Sequence, residues 1–204
     1  YTTARSIVLT GVADGFTGTE ASVTGGFTGI DQVIGSGATT DVLTSAIGGD
    51  ALWLLDTANV LEEIGGNQQL TFSAVETLSG EATIDTFRFG AGASEALTLD
   101  GSTGANVIEG SLAADTFTIT AEDAGSVLVN GQTSTFSNVE ALNGRDGADS
   151  FTLGISGSLT GAIDGGLDSD TLTGPSTGAE FNVTGLNRGT LEDRAAAPNT
   201  LLNS

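Results

Sequence analysis

Apolar residues in this chain come in short, evenly spaced bursts. "VETL" (75–78), "TFRF" (86–89), "ALTL" (96–99), "NVI" (106–108), "TFTI" (116–119) and "SVLV" (126–129) follow one another every 10 to 12 residues, and "VEAL" (139–142) and "SFTL" (150–153) continue the series. Each burst is rich in β-branched or aromatic residues, alternates in part with polar ones, and is closed by Gly, Asp or Asn. That pattern predicts strands separated by tight turns. Helical periodicity is nearly absent; "TANVLEEIGG" (57–66) is the one brief candidate.

The bursts belong to a longer repeat. Thr71, Phe72, Ser73, Val75, Glu76, Leu78, Gly80, Asp85, Phe87 and Gly90 all recur 64 positions later without a gap, and Trp53 falls opposite Phe117. A shorter first copy, Phe27 to Leu43, carries the same skeleton but lacks about 19 residues. The units run 1–52, 53–116, 117–180 and 181–204, the last a partial copy, so the native polypeptide is expected to continue past Ser204. Six predicted strands per 64 residues suit an all-β, right-handed parallel β-solenoid, because one coil cannot bury its own apolar face and its neighbours complete the core. Coils of about 21 residues with two strands, or about 32 with three, both fit that count. A tandem β-sandwich is the alternative architecture.

Charge narrows the function. The chain has 26 acidic residues against 5 basic ones, all Arg, for a net charge of -21. Such a surface repels nucleic acid and anionic membrane. Cys, His and Met are absent, which excludes disulfides, thiolate or imidazole metal sites and Ser-His or Cys-His catalytic pairs. The longest strongly apolar run, "ALWLL" (51–55), is far too short to span a bilayer, so no membrane insertion is expected. Paired acids that could act as general acid and base occur at Glu62–Glu63, among Asp164, Asp168 and Asp170, and at Glu192–Asp193. They lack the basic and aromatic residues a sugar-cleaving site adds, and acids recur at turn positions in every copy; no enzyme is expected.

The chemistry worth weighing is a turn mark, G-x-x-x-x-D-[TS]-[FL], at Gly80/Asp85, Gly110/Asp115, Gly144/Asp149 and Gly165/Asp170. "GRDGADSFT" (144–152) and "GGLDSDTLT" (165–173) resemble the calcium-binding nonapeptide of RTX proteins, which implies calcium held by Asp carboxylates and turn carbonyls. Asp146, Asp149, Asp164, Asp168 and Asp170 are the candidate ligands. Against this stands a structural reading: Gly permits the turn, Asp caps it, and Phe or Leu opens the next strand.

The segment Phe136 to Gly185 resembles the repeats of giant secreted bacterial exoproteins and adhesins of the filamentous-haemagglutinin type. The resemblance implies a cysteine-free β-solenoid at or outside the bacterial cell surface. The expected role is a structural segment of a fibre, sheath or adhesin whose partners are copies of itself, with cell-surface polysaccharide or a host receptor as further partners. A calcium-binding adhesion module is the alternative.

Overall fold

The structure, a computed structural model, describes residues 3–175 and the backbone of residues 179–185 and 188–193. It is all-β, with no helix among the described residues. Strands β1 (Ser6–Ala13), β2 (Gly15–Glu20) and β3 (Val23–Ile30) form an antiparallel meander in an eleven-stranded sheet. The chain then crosses to an eight-stranded sheet as β4 (Gln32–Ile34), returns as β5 (Val42–Ser45), and crosses again to build a second meander, β6 (Ala51–Leu55), β7 (Asn59–Glu63) and β8 (Gln69–Ser73). Strands β9 (Thr77–Ser79), β10 (Asp85–Phe89), β11 (Thr98–Asp100) and β12 (Val107–Glu109) then alternate between the sheets. A third meander, β13 (Thr116–Ala121), β14 (Ala124–Val129) and β15 (Gln132–Ser137), lies in the eleven-stranded sheet. It is followed by alternating β16 (Ala141–Asn143), β17 (Ser150–Leu153), β18 (Ile163–Asp164) and β19 (Thr171–Thr173). Strands β20 (Ala179–Gly185) and β21 (Arg188–Asp193) pair antiparallel with each other.

Strands that meet across a crossing pair in parallel, at a fixed short spacing or a longer, variable one. Thr77 pairs with Thr98, Thr86 with Val107 and Ser150 with Thr171, each 21 positions apart. Where a meander intervenes the spacing is 34 to 39, as for Ala51 with Asp85 (34), Thr98 with Thr135 (37) and Gln32 with Thr71 (39). The sheets are therefore mixed, not parallel throughout.

Two sequence expectations are corrected here. A 64-residue unit holds seven strands, β6 to β12, not six, because "QLTFS" and its later copy "QTSTFS" are strands in their own right. They escape notice because Val75 and Val139, which extend the apolar burst beyond them, are buried outside the strands, between β8 and β9 and between β15 and β16. The helix candidate 57–66 contains β7 instead. Asn59 and Leu61 point inward, Val60 and Glu62 outward, and β7 is hydrogen-bonded to a neighbour on each side. A period of two with two satisfied edges outweighs a brief helical pattern.

Equivalent residues of successive units lie in opposite sheets. Between Trp53 in β6 and Phe117 in β13 the chain changes sheet five times, an odd number, so a 64-residue step exchanges the sheets. The short first unit changes sheet three times from β3 to β6, lacking one pair of strands. A register irregularity between Ile119 and Ala121 in β13 has counterparts between Leu9 and Gly11 in β1 and between Val183 and Gly185 in β20.

Both sheets turn their apolar faces into one core. Leu43, Leu78, Leu99 and Phe136 stack rung on rung on one side, and Trp53, Phe87, Ile108 and Leu142 on the other. Trp53 lies over Phe87 with ring centroids 5.8 Å apart, and Phe117 over Phe151 at 4.7 Å. Each such pair adds about 0.5–1.5 kcal/mol to the area it buries.

Candidate functional site

Asp41, Asp85, Asp115 and Asp149 are buried at the corners where the chain enters a strand. At the first three the carboxylate caps its own turn. Asp41 accepts from the Ser36 N–H at 2.6 Å, Asp85 from the Glu81 N–H at 3.2 Å, and Asp115 from the Ser111 N–H at 2.6 Å. In each case the donor follows the turn glycine. That glycine is required by space: a Cβ on Gly80 would lie 2.2 Å from Asp85 Oδ2, and one on Gly110 would lie 2.6 Å from Asp115 Oδ2.

The corners are also tied to one another. At five corners the backbone N–H that leads into a parallel ladder finds its acceptor in a side chain one rung further on. Asp85 N–H donates to Asn106 Oδ1 (2.9 Å), Asn106 N–H to Glu140 (2.6 Å), Asp115 N–H to Asp149 (2.7 Å) and Asp149 N–H to Asp170 (3.0 Å). Asp41 N–H donates to Glu76 (2.8 Å). Asn106, Glu76 and Glu140 were not singled out from the sequence, although Glu76 and Glu140 recur at the 64-residue step. Most of the repeated acids therefore satisfy backbone donors that no strand pairing reaches.

The two RTX-like turns depart from this scheme. Arg145 (φ 74°) and Gly166 (φ 92°) are left-handed, and their N–H groups turn away to Asn143 Oδ1 and Asp164 Oδ1. Asp149 Oδ2 thereby loses its capping donor. It is a buried side-chain oxygen with no hydrogen-bond partner. Gly165 O lies close by: it and Asp149 Oδ2 fall 2.5 Å and 2.2 Å from the place a Gly144 Cβ would occupy. Two oxygens from successive turns thus face one region with no donor between them.

Of the other predicted ligands, Asp168 accepts from Gly147 N–H at 3.2 Å, which ties the two turns together. Asp170 accepts from Asp149 N–H and Asp164 from Gly166 N–H, while Asp146 makes no side-chain hydrogen bond. Among the described residues no three acidic side chains converge as metal ligands. A cation here would draw on Asp149, main-chain carbonyls and water for the six to eight oxygens calcium requires.

Burial pushes Asp149 up to about 6, and the carboxylates of Asp115, Asp170 and Asp168 push the same way. Burial likewise lifts Asp85 to about 6, against the opposing Trp53 and Glu81 donors. Asp115 is also raised by burial. Of the acid pairs, Glu62 binds the Gln69 amide on an outward strand face. Glu192 and Asp193 have side chains outside the described residues.

Replacing Gly144 by alanine forces a Cβ onto Asp149 Oδ2 and is expected to cost about 1–3 kcal/mol, the usual penalty for overpacking. Gly25, where a Cβ meets nothing within 4 Å, is the control. Urea denaturation of Gly144→Ala and Gly25→Ala checks this.

No family model matches the chain, and no curated protein or solved structure is detectably similar to it.

Proposed function

We propose that this chain is a stacked-coil, solenoid-type structural segment of an extracellular bacterial surface fibre, sheath or adhesin, and that it assembles through its ends. The observation that carries the reading is the corner ladder, in which the leading N–H groups of Asp85, Asn106, Asp115 and Asp149 are each satisfied by a side chain of the next rung. The run from Asp115 through Asp149 to Asp170 reaches β19, the last strand of the eleven-stranded sheet. Strands β18 and β19 at one end, and β3 and β4 at the other, are the outermost members of their sheets among the described residues. Edges of this kind pair with other chains. Ile155, Leu167 and Leu172, all near the β18–β19 end in sequence, are exposed and add apolar area for such a contact. Stacking continued by copies of the chain yields a stiff anionic rod.

A calcium-binding adhesion module is the second reading, favoured by the donorless Asp149 Oδ2 beside Gly165 O. Sedimentation at high protein concentration and electron microscopy, each with calcium and with EDTA, test both. Fibres or concentration-dependent oligomers are expected in either solution. A strict monomer under all conditions overturns the assembly reading. A calcium-dependent rise in melting temperature that Asp149→Asn abolishes replaces the purely structural reading with the second.

A further inference from the structure

The two outward faces differ in a way the repeat does not explain. In the eleven-stranded sheet Thr77, Thr98, Thr135, Ser126, Thr118, Thr152 and Thr173 stand in one unbroken register across seven neighbouring strands. A second rank, Thr116, Ser150 and Thr171, runs beside it. None of these hydroxyls bonds within the protein. From β5 to β19 the one charged side chain on this face is Asp100, in a chain of net charge -21.

High β-propensity alone would account for exposed threonines. The duplication provides a control, because a 64-residue step moves each position to the other sheet. Thr118 is replaced there by Leu54, Thr152 by Arg88, Thr173 by Glu109, and Thr77 by Ala141. Thr135 and Ser150 keep a hydroxyl at this step, as Thr71 and Thr86, but most of the hydroxyls follow the face and not the place in the repeat. Strand propensity and turn chemistry are common to both sheets, so neither explains the difference.

Neighbouring strands lie about 4.7–4.9 Å apart and successive outward residues roughly 6.6–6.8 Å, so the face is a two-dimensional lattice of hydroxyl and methyl groups. It has no aromatic ring to stack on a sugar and scarcely a charge to hold an ion. Hydroxyl bonds to a dissolved ligand gain only about 0.5–1.5 kcal/mol each, because water competes for both partners. A periodic face without an anchor suits a partner that is itself periodic and whose hydrogen bonds are those of water. We propose that the outer face of the eleven-stranded sheet binds the surface of ice.

The test is a single ice crystal grown slowly in a solution of the fluorescently labelled chain, together with the difference between its melting and freezing points. Incorporation into the crystal and a measurable freezing delay are expected. Thr118→Lys and Thr135→Lys should abolish both, while Thr86→Lys, on the outer face of the eight-stranded sheet, leaves them intact. Thr118→Val and Thr135→Val, which keep the branched shape, serve if the lysine variants do not fold, and should weaken binding. Exclusion of the folded wild-type chain from ice overturns the proposal. So does an equal loss in Thr86→Lys, or capture by insoluble cellulose or chitin with no effect on ice.

Discussion

Replacing Trp53 by alanine is expected to destabilise the chain by about 3–5 kcal/mol, the range for emptying a large aromatic site in a core. Trp53 is fully buried, stacks on Phe87 and meets Phe72 edge-on at 5.9 Å. It also donates its indole N–H to Asp85 Oδ1 at 2.9 Å. The substitution therefore opens a cavity and strips a donor from a buried carboxylate, two costs that add. Phe117→Ala, at the equivalent position of the next unit, opens a smaller cavity beside Phe151 and removes no hydrogen bond. It should cost less. Trp53→Phe separates the two effects: most of the volume stays, and the loss reports the missing donor. Urea denaturation with an unchanged m-value is the measurement. Equal losses for Trp53→Ala and Phe117→Ala would show that the indole–carboxylate bond contributes nothing.

Stability is expected to rise as the solution is made mildly acidic, the reverse of what paired carboxylates give. Asp85 and Asp149 stand at about 6 in the folded chain against an ordinary value of 3.8. The folded state then binds more protons than the unfolded state between those values, so their contribution is complete below about 3.8 and is lost as pH rises through about 6. Carboxylates facing them act in the same sense: Asp50 and Glu81 on Asp85, and Asp115, Asp168 and Asp170 on Asp149. Self-repulsion of a chain carrying -21 also eases on acidification. The opposite limb comes from Asp41 and Glu20. Burial alone would raise Asp41, but the donors of Arg5 and Ser36 outweigh it and hold it below 3.8. Glu20 is held below 4.5 chiefly by Ser22. Their contributions vanish as pH falls through those lowered values. The melting temperature should climb from pH 8 to about 5 and drop again below about 3.8. Asp149→Asn should raise it at pH 7.5 and flatten the upper slope, since an amide nitrogen in place of Oδ2 becomes a donor beside Gly165 O. A melting temperature that falls steadily from pH 8 to 5 would contradict this account.

Much of this was legible in the chain. The bursts of apolar residues marked most of the strands, and the Gly and Asp spacing marked the corners, because one sheet face must be apolar and a turn must satisfy its own backbone. Strands β8 and β15 were hidden: Leu70 and Phe72 run on into Val75, and a list of apolar residues does not show where the chain leaves a sheet. The helix candidate failed for a related reason, since only pairing with β6 and β8 fixes β7 as extended. Within the candidate site the roles of Asp41, Asp85 and Asp115 as caps could be read from the repeat. The orphaned oxygen of Asp149 could not, because it depends on the left-handed turn at Arg145.

The sequence by itself determined the all-β class, the 64-residue period, the acidic surface and the exclusion of thiol and imidazole chemistry, because composition and local periodicity are properties of neighbours along the chain. Tertiary structure alone decided that successive units exchange sheets, that Asn106 and Glu140 complete the corners, and that hydroxyls from seven strands fall into one rank. Those features depend on which residues meet from 21 to 37 positions apart, and the odd number of crossings that sets them emerges only when every strand is placed.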